Sequence, residues 1–261
     1  MSLLGRIENA AVRATLAGGR HLRERFRAGD AGGEFDPHDV KAAADRASER
    51  RMLDVIEPAF PGHAVYAEES GDRGRAESEF RWIVDPLDGT NDFVAGLPTF
   101  ASAVAVLRDG DPVVASVYAP VPDDLYVARR EAGARYDGAR VTADSDRTPA
   151  EATVAFVIGH GVKRDPERTA VAAAVRAALE RECKRVIESW SPCVHWGLLA
   201  RGRIDGMVTL DPDREEQYAG ELLAREAGAT AWRDRGLGVF LAADSLADLR
   251  RTADDARDDP A

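Results

Sequence analysis

Two aspartates stand three positions apart in the stretch WIVDPLDGTNDF, at residues 82–93, and a Gly-Thr pair follows them directly. Pro86 lacks an N–H and fixes its own φ, which predicts that the chain leaves an apolar strand between Asp85 and Asp88. Both carboxylates and the carbonyl of Leu87 can then turn toward one point. An all-oxygen set of this kind suits a hard cation such as Mg²⁺.

Gly89 and Thr90 follow at a predicted helix N-terminus, where exposed N–H groups and the helix dipole favour a phosphate. A cation beside a phosphate is the arrangement of metal-assisted phosphoryl transfer to water. Asp, Pro and Gly are also the usual residues of surface turns, so the stretch alone leaves a plain loop open.

Further acidic residues occur on either side of this stretch. Asp45 lies within the second predicted helix, Glu68 and Glu69 end a short apolar segment, and Glu216 opens a late helix. Each also fits a simpler explanation: a solvated helix face, a strand end, or favourable charge in a first helical turn. Adjacent strand residues point to opposite faces, so at most one of Glu68 and Glu69 is expected to bind a metal unless the strand has already ended.

The composition narrows the class of protein. With 261 residues, 44% hydrophobic and 31% charged, the chain is long and apolar enough for one large or two ordinary globular domains. The net charge of −11 argues against nucleic-acid binding. We expect no membrane partner and a cytoplasmic location, because no run approaches the roughly 20 apolar residues of a membrane span, no signal peptide is recognisable and two cysteines make no disulfide framework.

Periodicity predicts the elements that position these residues. Helices are expected over 3–28 and from about Asp39 to Glu57, with Pro58 as a stop. FRWIVD is predicted to be a buried strand, and residues 101–141 a series of hairpins. Strands and helices then alternate, which favours an α/β layer. The polar stretch TADSDRTPAEA places a boundary near residue 147, between an α+β domain at 1–147 and an α/β domain at 148–261.

Two known patterns compete for the central motif. Haloacid-dehalogenase-like phosphatases carry D-x-D-G-T with a nucleophilic first Asp, but this chain has one residue more between its aspartates. The order of Asp45, Glu68-Glu69-Ser70, Asp85-Pro-Leu-Asp-Gly-Thr90 and Glu215-Glu-Gln-Tyr-Ala-Gly220 resembles the inositol monophosphatase family of lithium-sensitive, Mg²⁺-dependent phosphatases. EAGA at 226–229 resembles the EAGG of that family.

The resemblance implies a layered αβαβα sandwich of the inositol monophosphatase and fructose-1,6-bisphosphatase type, and a homodimer. It implies a phosphoric monoester hydrolase that binds a small phosphorylated metabolite. The substrate would be a small sugar or polyol phosphate resembling inositol 1-phosphate, attacked by metal-activated water. Fructose-1,6-bisphosphatase and nucleotide 3′-phosphatase activities, which also occur in the family, stay open.

The resemblance also implies roles for individual residues, with two to three Mg²⁺ ions. Glu68, Asp85 and the Leu87 carbonyl would hold the first ion, Asp85, Asp88 and Glu216 the second, and Glu68 would border a third. It implies four further roles: Thr90, backed by Asp45, would orient the attacking water; Asp88 with the N–H groups of Gly89 and Thr90 would bind phosphate; Glu69 would support the ligands from outside; Ser191, Thr209 and Asp213 would contact substrate.

The chain departs from the family pattern at the late motif, where Glu215 and Glu216 replace Trp and Asp, and at Ala42, where the family has Thr. A glutamate keeps the charge but is one methylene longer, and Mg²⁺ tolerates little error in ligand distance. A catalytically weak paralogue that binds a metabolite or a partner is therefore the alternative function. Trp190 and Tyr218 are expected to be core aromatics rather than walls of the pocket.

Overall fold

The computed structural model describes residues 2–30, 33–36, 39–74 and 77–259, and within them the side chains of 34–36, 39–42 and 214–216 lie outside the description. The described chain forms an α/β fold built on two large sheets. The helices are α1 (Leu3–Arg27), α2 (Ala43–Ala59), α3 (Thr90–Ala95), α4 (His160–Lys163), α5 (Pro166–Glu182), α6 (Pro192–Ala200), α7 (Arg214–Glu226) and α8 (Asp248–Asp258), with short 3₁₀ turns at Pro149–Glu151 and Asp244–Leu246.

The first and larger sheet is mainly antiparallel. Its strands are β3 (Ala64–Ala67), β4 (Gly71–Gly74), β5 (Phe80–Asp88), β6 (Ala101–Arg108), β7 (Asp111–Ala119), β8 (Asp124–Arg129), β9 (Gly133–Tyr136) and β10 (Ala139–Val141). They lie in the order β10-β9-β8-β7-β6-β5-β3-β4, and only β3 and β5 run parallel. A separate ribbon pairs β1 (Gly33–Asp36) with β2 (Asp39–Ala42).

The second sheet has five strands in the order β12-β11-β13-β15-β14. These are β11 (Thr153–Ile158), β12 (Arg185–Glu188), β13 (Gly206–Leu210), β14 (Thr230–Asp234) and β15 (Leu237–Leu241). β11 runs parallel to both β12 and β13, as expected for strands joined through helices. β15 is antiparallel to β13 and to β14.

Three buried clusters stack these elements into layers. Ile7 of α1 and Met52 of α2 pack with Trp82 on the outer face of the large sheet. Trp196 of α6 and Leu223 of α7 fill the space between the two sheets. Helices α5 and α8 cover the outer face of the small sheet. The order helix, sheet, helix, sheet, helix confirms the predicted αβαβα sandwich.

Most of the predicted elements are present, with two differences near the site. The second helix begins at Ala43 rather than Asp39, because residues 39–42 pair as β2, and it runs past Pro58 to Ala59. β5 continues through Pro86 to Asp88 instead of ending at Asp85. The hairpin of β6 and β7 is confirmed, and its Asp109-Gly110 turn has positive φ at both residues, as a type I′ turn requires.

The last part of the chain was not predicted. The segment RRTADDARDDPA is strongly charged and reads as an acidic tail, but its start belongs to α8, which buries Leu249 and Ala253 against the small sheet. Arg257 is also largely buried there and pairs with Asp254 and Asp258. These ion pairs let a highly charged helix pack on the core.

The chain passes from the large to the small sheet after Val141 and enters β11 at Thr153. Fully buried Asp205 fastens this connection. Its carboxylate accepts hydrogen bonds from Ser145 Oγ at 2.6 Å, an Arg147 guanidinium N–H at 2.9 Å and the Thr153 N–H at 2.7 Å. No helix among the described residues is both long and apolar enough to cross a membrane.

Candidate metal-dependent active site

A cleft of about 80 Å³ brings most of the predicted residues together. The large sheet and its flanking helices provide one wall, and the small sheet with the segments after its strands provides the other. The lining residues are Asp45, Glu68, Glu69, Asp85, Leu87, Asp88, Gly89, Thr90, Asn91, Val157, Ile158, His160, Lys163, Ser189, Trp190 and Pro192.

A β-bulge in β5 places the two central aspartates. Asp85 pairs with Ala103 and Asp88 with Ala101, so three steps along β5 match two along β6. Residues three apart in a regular strand point to opposite faces, and one extra residue returns them to the same face. Pro86, which has no N–H to give to a ladder, lies inside this bulge. Asp85 and Asp88 therefore both reach the cleft from a single strand.

Local hydrogen bonds fix the bulge. The Leu87 N–H donates to Asp85 Oδ1 at 3.1 Å, and Ser48 Oγ of α2 donates to the Pro86 carbonyl at 2.8 Å. Thr90 Oγ1 donates to the Leu87 carbonyl at 3.0 Å. The Thr90 hydroxyl therefore lies beside the carbonyl that sequence reasoning assigned to the metal.

Asp88 is held from the opposite wall. Its Oδ2 accepts hydrogen bonds from Ser191 Oγ at 2.6 Å and from the Cys193 N–H at 2.9 Å. Burial raises the pKa of Asp88 to about 7, an effect that these two hydrogen bonds oppose and the neighbouring charge of Glu68 increases. A cation next to Asp88 would favour the ionised carboxylate and reverse this effect.

Glu68 and Glu69 lie just beyond β3, which ends at Ala67, so the strand alternation rule does not separate them and both line the cleft. Their surroundings differ, however. The Glu69 carboxylate pairs with Arg46 Nε at 3.4 Å, and its N–H donates to Glu49 Oε2 at 2.8 Å. Glu69 is therefore tied to α2 through Arg46 and Glu49, and its role beside the metal ligands stays a prediction.

Gly89, directly before the short helix α3, lies where the chain passes close to Ser191 and Thr99. Gly89 has a φ of 91°, and a Cβ there would lie 2.8 Å from both Ser191 Cβ and the Thr99 carbonyl oxygen. Only glycine meets both requirements. α3 has six residues, so a phosphate prediction here depends on the local N–H groups rather than on a helix dipole.

Asp45, buried in the first turn of α2, lines the same cleft.

The second wall carries basic and aromatic side chains that sequence reasoning did not assign. Lys163 Nζ lies 2.9 Å from the centroid of the Trp190 ring, and both residues line the cleft. Trp190 is 39% exposed, so its prediction as a core aromatic was wrong; Tyr218 does pack against the core between the sheets. The available signal for Trp190 was its position next to Ser191, which the family resemblance assigned to substrate.

The predicted substrate residues are distributed over different places. Ser191 contacts Asp88, as described above. Asp213 accepts a hydrogen bond from the His160 N–H at 2.8 Å and lies 2.8 Å from its Nδ1, and these contacts hold the pKa of Asp213 below its usual range. Thr209 is buried along a second cavity beside β15, not along the cleft. Glu216 belongs to the first turn of α7, and its side chain lies outside the described residues.

The donor set fits a divalent cation. Two carboxylates from β5, a backbone carbonyl between them and Glu68 at the end of the neighbouring strand β3 are hard oxygen donors of the kind that Mg²⁺ prefers. In the described part of the chain, one buried group of possible ligand atoms comprises Asp85, Asp88 and Cys193, whose ligand atoms all lie within 4.8 Å of one another. Sequence reasoning missed Cys193 because only folding brings it to Asp88.

Comparison with known proteins decides the family. The profile of the inositol monophosphatase family matches residues 4–251. This chain belongs to the inositol monophosphatase family. Phosphatases of this family are Mg²⁺-dependent in general, in agreement with the acidic cleft.

Two differently named groups of relatives are similar in sequence to this member of the inositol monophosphatase family. Nus factor SuhB of Vibrio cholerae is 32% identical over 223 residues, which cover 85% of this chain and 82% of the relative. The fructose-1,6-bisphosphatase/inositol-1-monophosphatase of Aquifex aeolicus is 31% identical over 217 residues, covering 82% and 81%.

Solved structures of the family share the fold. An inositol monophosphatase from Anabaena superposes with a TM-score of 0.83 at 25% identity, covering 97% of each chain. The extragenic suppressor protein SuhB from Bartonella henselae superposes with a TM-score of 0.86 at 25% identity, covering 95% of this chain and 98% of that one. The predicted fold class and the predicted family resemblance are both confirmed.

Proposed function

We propose that the protein is a Mg²⁺-dependent phosphomonoesterase that hydrolyses a small sugar or polyol phosphate. The observation that carries the proposal is the bulge of β5, which directs Asp85 and Asp88 to one cleft beside Glu68 at the end of the neighbouring strand β3. Phosphatases in the family and the printed name of the Aquifex aeolicus relative support it. The fructose-1,6-bisphosphatase in that name keeps a sugar bisphosphate among the candidate substrates.

Glu68, Asp85, Asp88 and the Leu87 carbonyl would hold two to three Mg²⁺ ions, with Glu216 as a further ligand. The bound ions would neutralise phosphate charge and lower the pKa of the attacking water. The Thr90 hydroxyl, with Asp45 nearby, would orient that water. The N–H groups of Gly89 and Thr90 would hold the phosphate oxygens.

The cationic wall opposite the carboxylates would select the alcohol. His160 and Lys163 lie on this side of the cleft, and the half-exposed Trp190 offers an apolar surface next to them. A sugar or polyol ring presents hydroxyl groups to hydrogen-bond donors and a C–H face to an aromatic ring. Ser191 and Asp213 support this wall through their contacts with Asp88 and His160.

A screen of phosphate release tests the proposal. Inositol 1-phosphate, fructose 1,6-bisphosphate, a nucleoside 3′,5′-bisphosphate and other phosphomonoesters are supplied with and without Mg²⁺ and Li⁺. We expect Mg²⁺-dependent release that Asp88→Asn abolishes and that the exposed-site control Asp111→Asn leaves intact. Activity that survives Asp88→Asn unaltered would remove Asp88 from the mechanism.

A partner-binding role without turnover is the second candidate. Relatives named Nus factor SuhB favour it, as do Glu215 and Glu216 in the late motif. It predicts metal or ligand binding by calorimetry with no turnover above background. Glu216→Asp, which restores the family residue, should then raise activity, whereas a loss would mean that Glu216 is already the working ligand.

The remaining features stay predictions from sequence and family resemblance. They are a homodimer, inhibition by Li⁺, a cytoplasmic location, the absence of nucleic-acid partners, and the division into domains at 1–147 and 148–261. Li⁺ in the phosphatase screen and light scattering of the purified protein check the first two.

A further inference from the structure

The carboxylate cluster of the cleft contains a thiol that Mg²⁺ chemistry does not require. Cys193 is fully buried at the start of α6, and its Sγ lies in one group with carboxylate oxygens of Asp85 and Asp88, all within 4.8 Å of one another. Mg²⁺ is a hard cation that takes oxygen ligands, whereas thiolate is a soft ligand that selects metals such as Zn²⁺. The thiol therefore places, beside two carboxylates, a ligand of the type that Zn²⁺ takes and Mg²⁺ does not.

The backbone fixes where the thiol lies. The Cys193 N–H donates to Asp88 Oδ2 at 2.9 Å, and Pro192 before it restricts the chain at the first position of α6. This contact joins residues 105 positions apart and ties the α6 N-terminus to β5. Because the backbone is tied to Asp88, the thiol stays near that carboxylate whichever cation enters.

The distances suit a mixed oxygen and sulfur site. Ligands of a tetrahedral Zn²⁺ ion, about 2.0–2.3 Å from the metal, lie about 3.3–3.8 Å apart. The three ligand atoms lie within 4.8 Å of one another, so side-chain rotations that move them by up to roughly 1.0–1.5 Å bring them into this range. Asp85 and Asp88 also line the cleft, which provides a route for the ion.

We propose that Cys193 makes this site bind the thiophilic cations Zn²⁺ and Cd²⁺ through sulfur, in competition with Mg²⁺. On binding, the S–H bond breaks and its proton leaves to the buffer, the cation loses a water molecule, and an S–metal bond forms; no oxidation or reduction takes place. A Mg²⁺ ion held by Asp85 and Asp88 returns to solvent. The inference deepens the proposed function, because it places the thiol at the proposed Mg²⁺ site.

The other cysteine supplies a matched control. Cys183 lies in the outer core beside α5, and burial raises the pKa of its thiol to about 11, which disfavours the thiolate that a metal needs. Since the chain has two cysteines, a thiolate signal in Cys183→Ser can come only from Cys193.

Titration of the metal-stripped, full-length protein with Cd²⁺ tests the inference. We expect a sulfur-to-cadmium charge-transfer band in the ultraviolet that saturates near one equivalent in the unaltered protein and in Cys183→Ser. The band should be absent in Cys193→Ala and Cys193→Ser. Excess Mg²⁺ should shift the Cd²⁺ titration to higher concentrations.

Calorimetry on the same samples measures the affinities. The ratio of Cd²⁺ to Mg²⁺ affinity should fall by at least about tenfold in Cys193→Ala, since even residues that only support metal ligands change affinity by about 10–100-fold. Cd²⁺ bound without the band, no Cd²⁺ binding at all, or a band that persists in Cys193→Ala would each overturn the inference. If both Cys193 variants fail to fold, the band in Cys183→Ser decides.

Phosphate release by the unaltered protein separates this inference from the proposed function. A Cd²⁺ band with no hydrolysis of any phosphomonoester would support the thiol site and reject the phosphatase. Mg²⁺-dependent hydrolysis without a Cd²⁺ band would do the reverse.

Discussion

Replacing Gly89 with alanine is expected to damage both the fold and the site. The residue has a φ of 91°, and a Cβ would lie 2.8 Å from Ser191 Cβ and from the Thr99 carbonyl oxygen. The left-handed conformation alone costs a residue with a Cβ about 1–2 kcal/mol. Overpacking adds about 1–3 kcal/mol, so the free energy of unfolding should fall by about 2–5 kcal/mol.

Comparison with Gly96, at the other end of α3, separates the packing cost at Gly89 from the cost of the backbone conformation. Its φ is 76°, but no atom lies within 4 Å of a Cβ placed there. Gly96→Ala should therefore lose about 1–2 kcal/mol, from the backbone conformation alone. Any larger loss in Gly89→Ala measures the contact with Ser191 and the Thr99 carbonyl.

Urea denaturation, extrapolated linearly to water, measures both free energies. Mg²⁺-dependent phosphate release should fall strongly in Gly89→Ala, because the displaced residues adjoin Asp88 and Thr90, and should change little in Gly96→Ala. Equal destabilisation by the two substitutions would refute the argument that the walls of the cleft meet tightly at Gly89.

Three further predictions concern separate parts of the molecule. Thr90→Ala should lower kcat by about 10²-fold while Thr90→Ser keeps most activity, because the hydroxyl is the group that would position the water. Steady-state kinetics of both variants at saturating Mg²⁺ check this. An equal loss in both variants would reject the role of the hydroxyl. His63 accepts a hydrogen bond from Trp82 Nε1 at 3.0 Å, and burial lowers its pKa below 6.5. Its stabilising contribution is therefore present above pH 6.5 and is lost as the pH falls toward the folded-state pKa. The melting temperature between pH 8 and 5 should decline less steeply in His63→Gln than in the unaltered protein, and an unchanged slope would contradict this. Asp205→Ala should lower the free energy of unfolding by about 1–3 kcal/mol, since it removes the buried acceptor shared by three partly buried or exposed donors, while Asp205→Asn should cost less. Urea denaturation compares the two variants, and an equal loss in both would contradict this.

The central motif was predictable because its residues are neighbours in sequence. Asp85, Leu87, Asp88 and Thr90 fall within six positions, and one proline and one glycine restrict how the chain can pass through them. The bulge was not predicted, because proline indicates a break in the ladder without saying whether the strand resumes. β5 does resume, since Asp88 finds a partner in Ala101.

The second wall of the cleft could not be predicted in the same way. Ser191 and Cys193 reach Asp88 across more than one hundred residues, and no local pattern announces such a contact. Family resemblance identified Ser191 but placed it against substrate. Trp190 shows a different limit, because an aromatic residue between polar neighbours gives no sign of whether a cavity will open beside it.

The charged C-terminal segment, for which no element was predicted, shows a further limit of sequence patterns. α8 buries Leu249 and Ala253, and its remaining residues are mostly Asp and Arg. With so few apolar positions, periodicity does not distinguish a docked helix from a solvated tail. The ion pairs of Arg257 that satisfy this helix are tertiary contacts with β14 as well as local ones.

Helices α6 and α7 pack against both sheets at once, so the predicted domains at 1–147 and 148–261 share one buried layer of side chains. A chain cut near residue 147 would leave each sheet with an uncovered apolar face, so neither piece is expected to stay folded alone. Heating should then melt both sheets in one transition, and the two walls of the cleft would disappear together. Cations would meet a cleft whose two walls rest on the same buried layer.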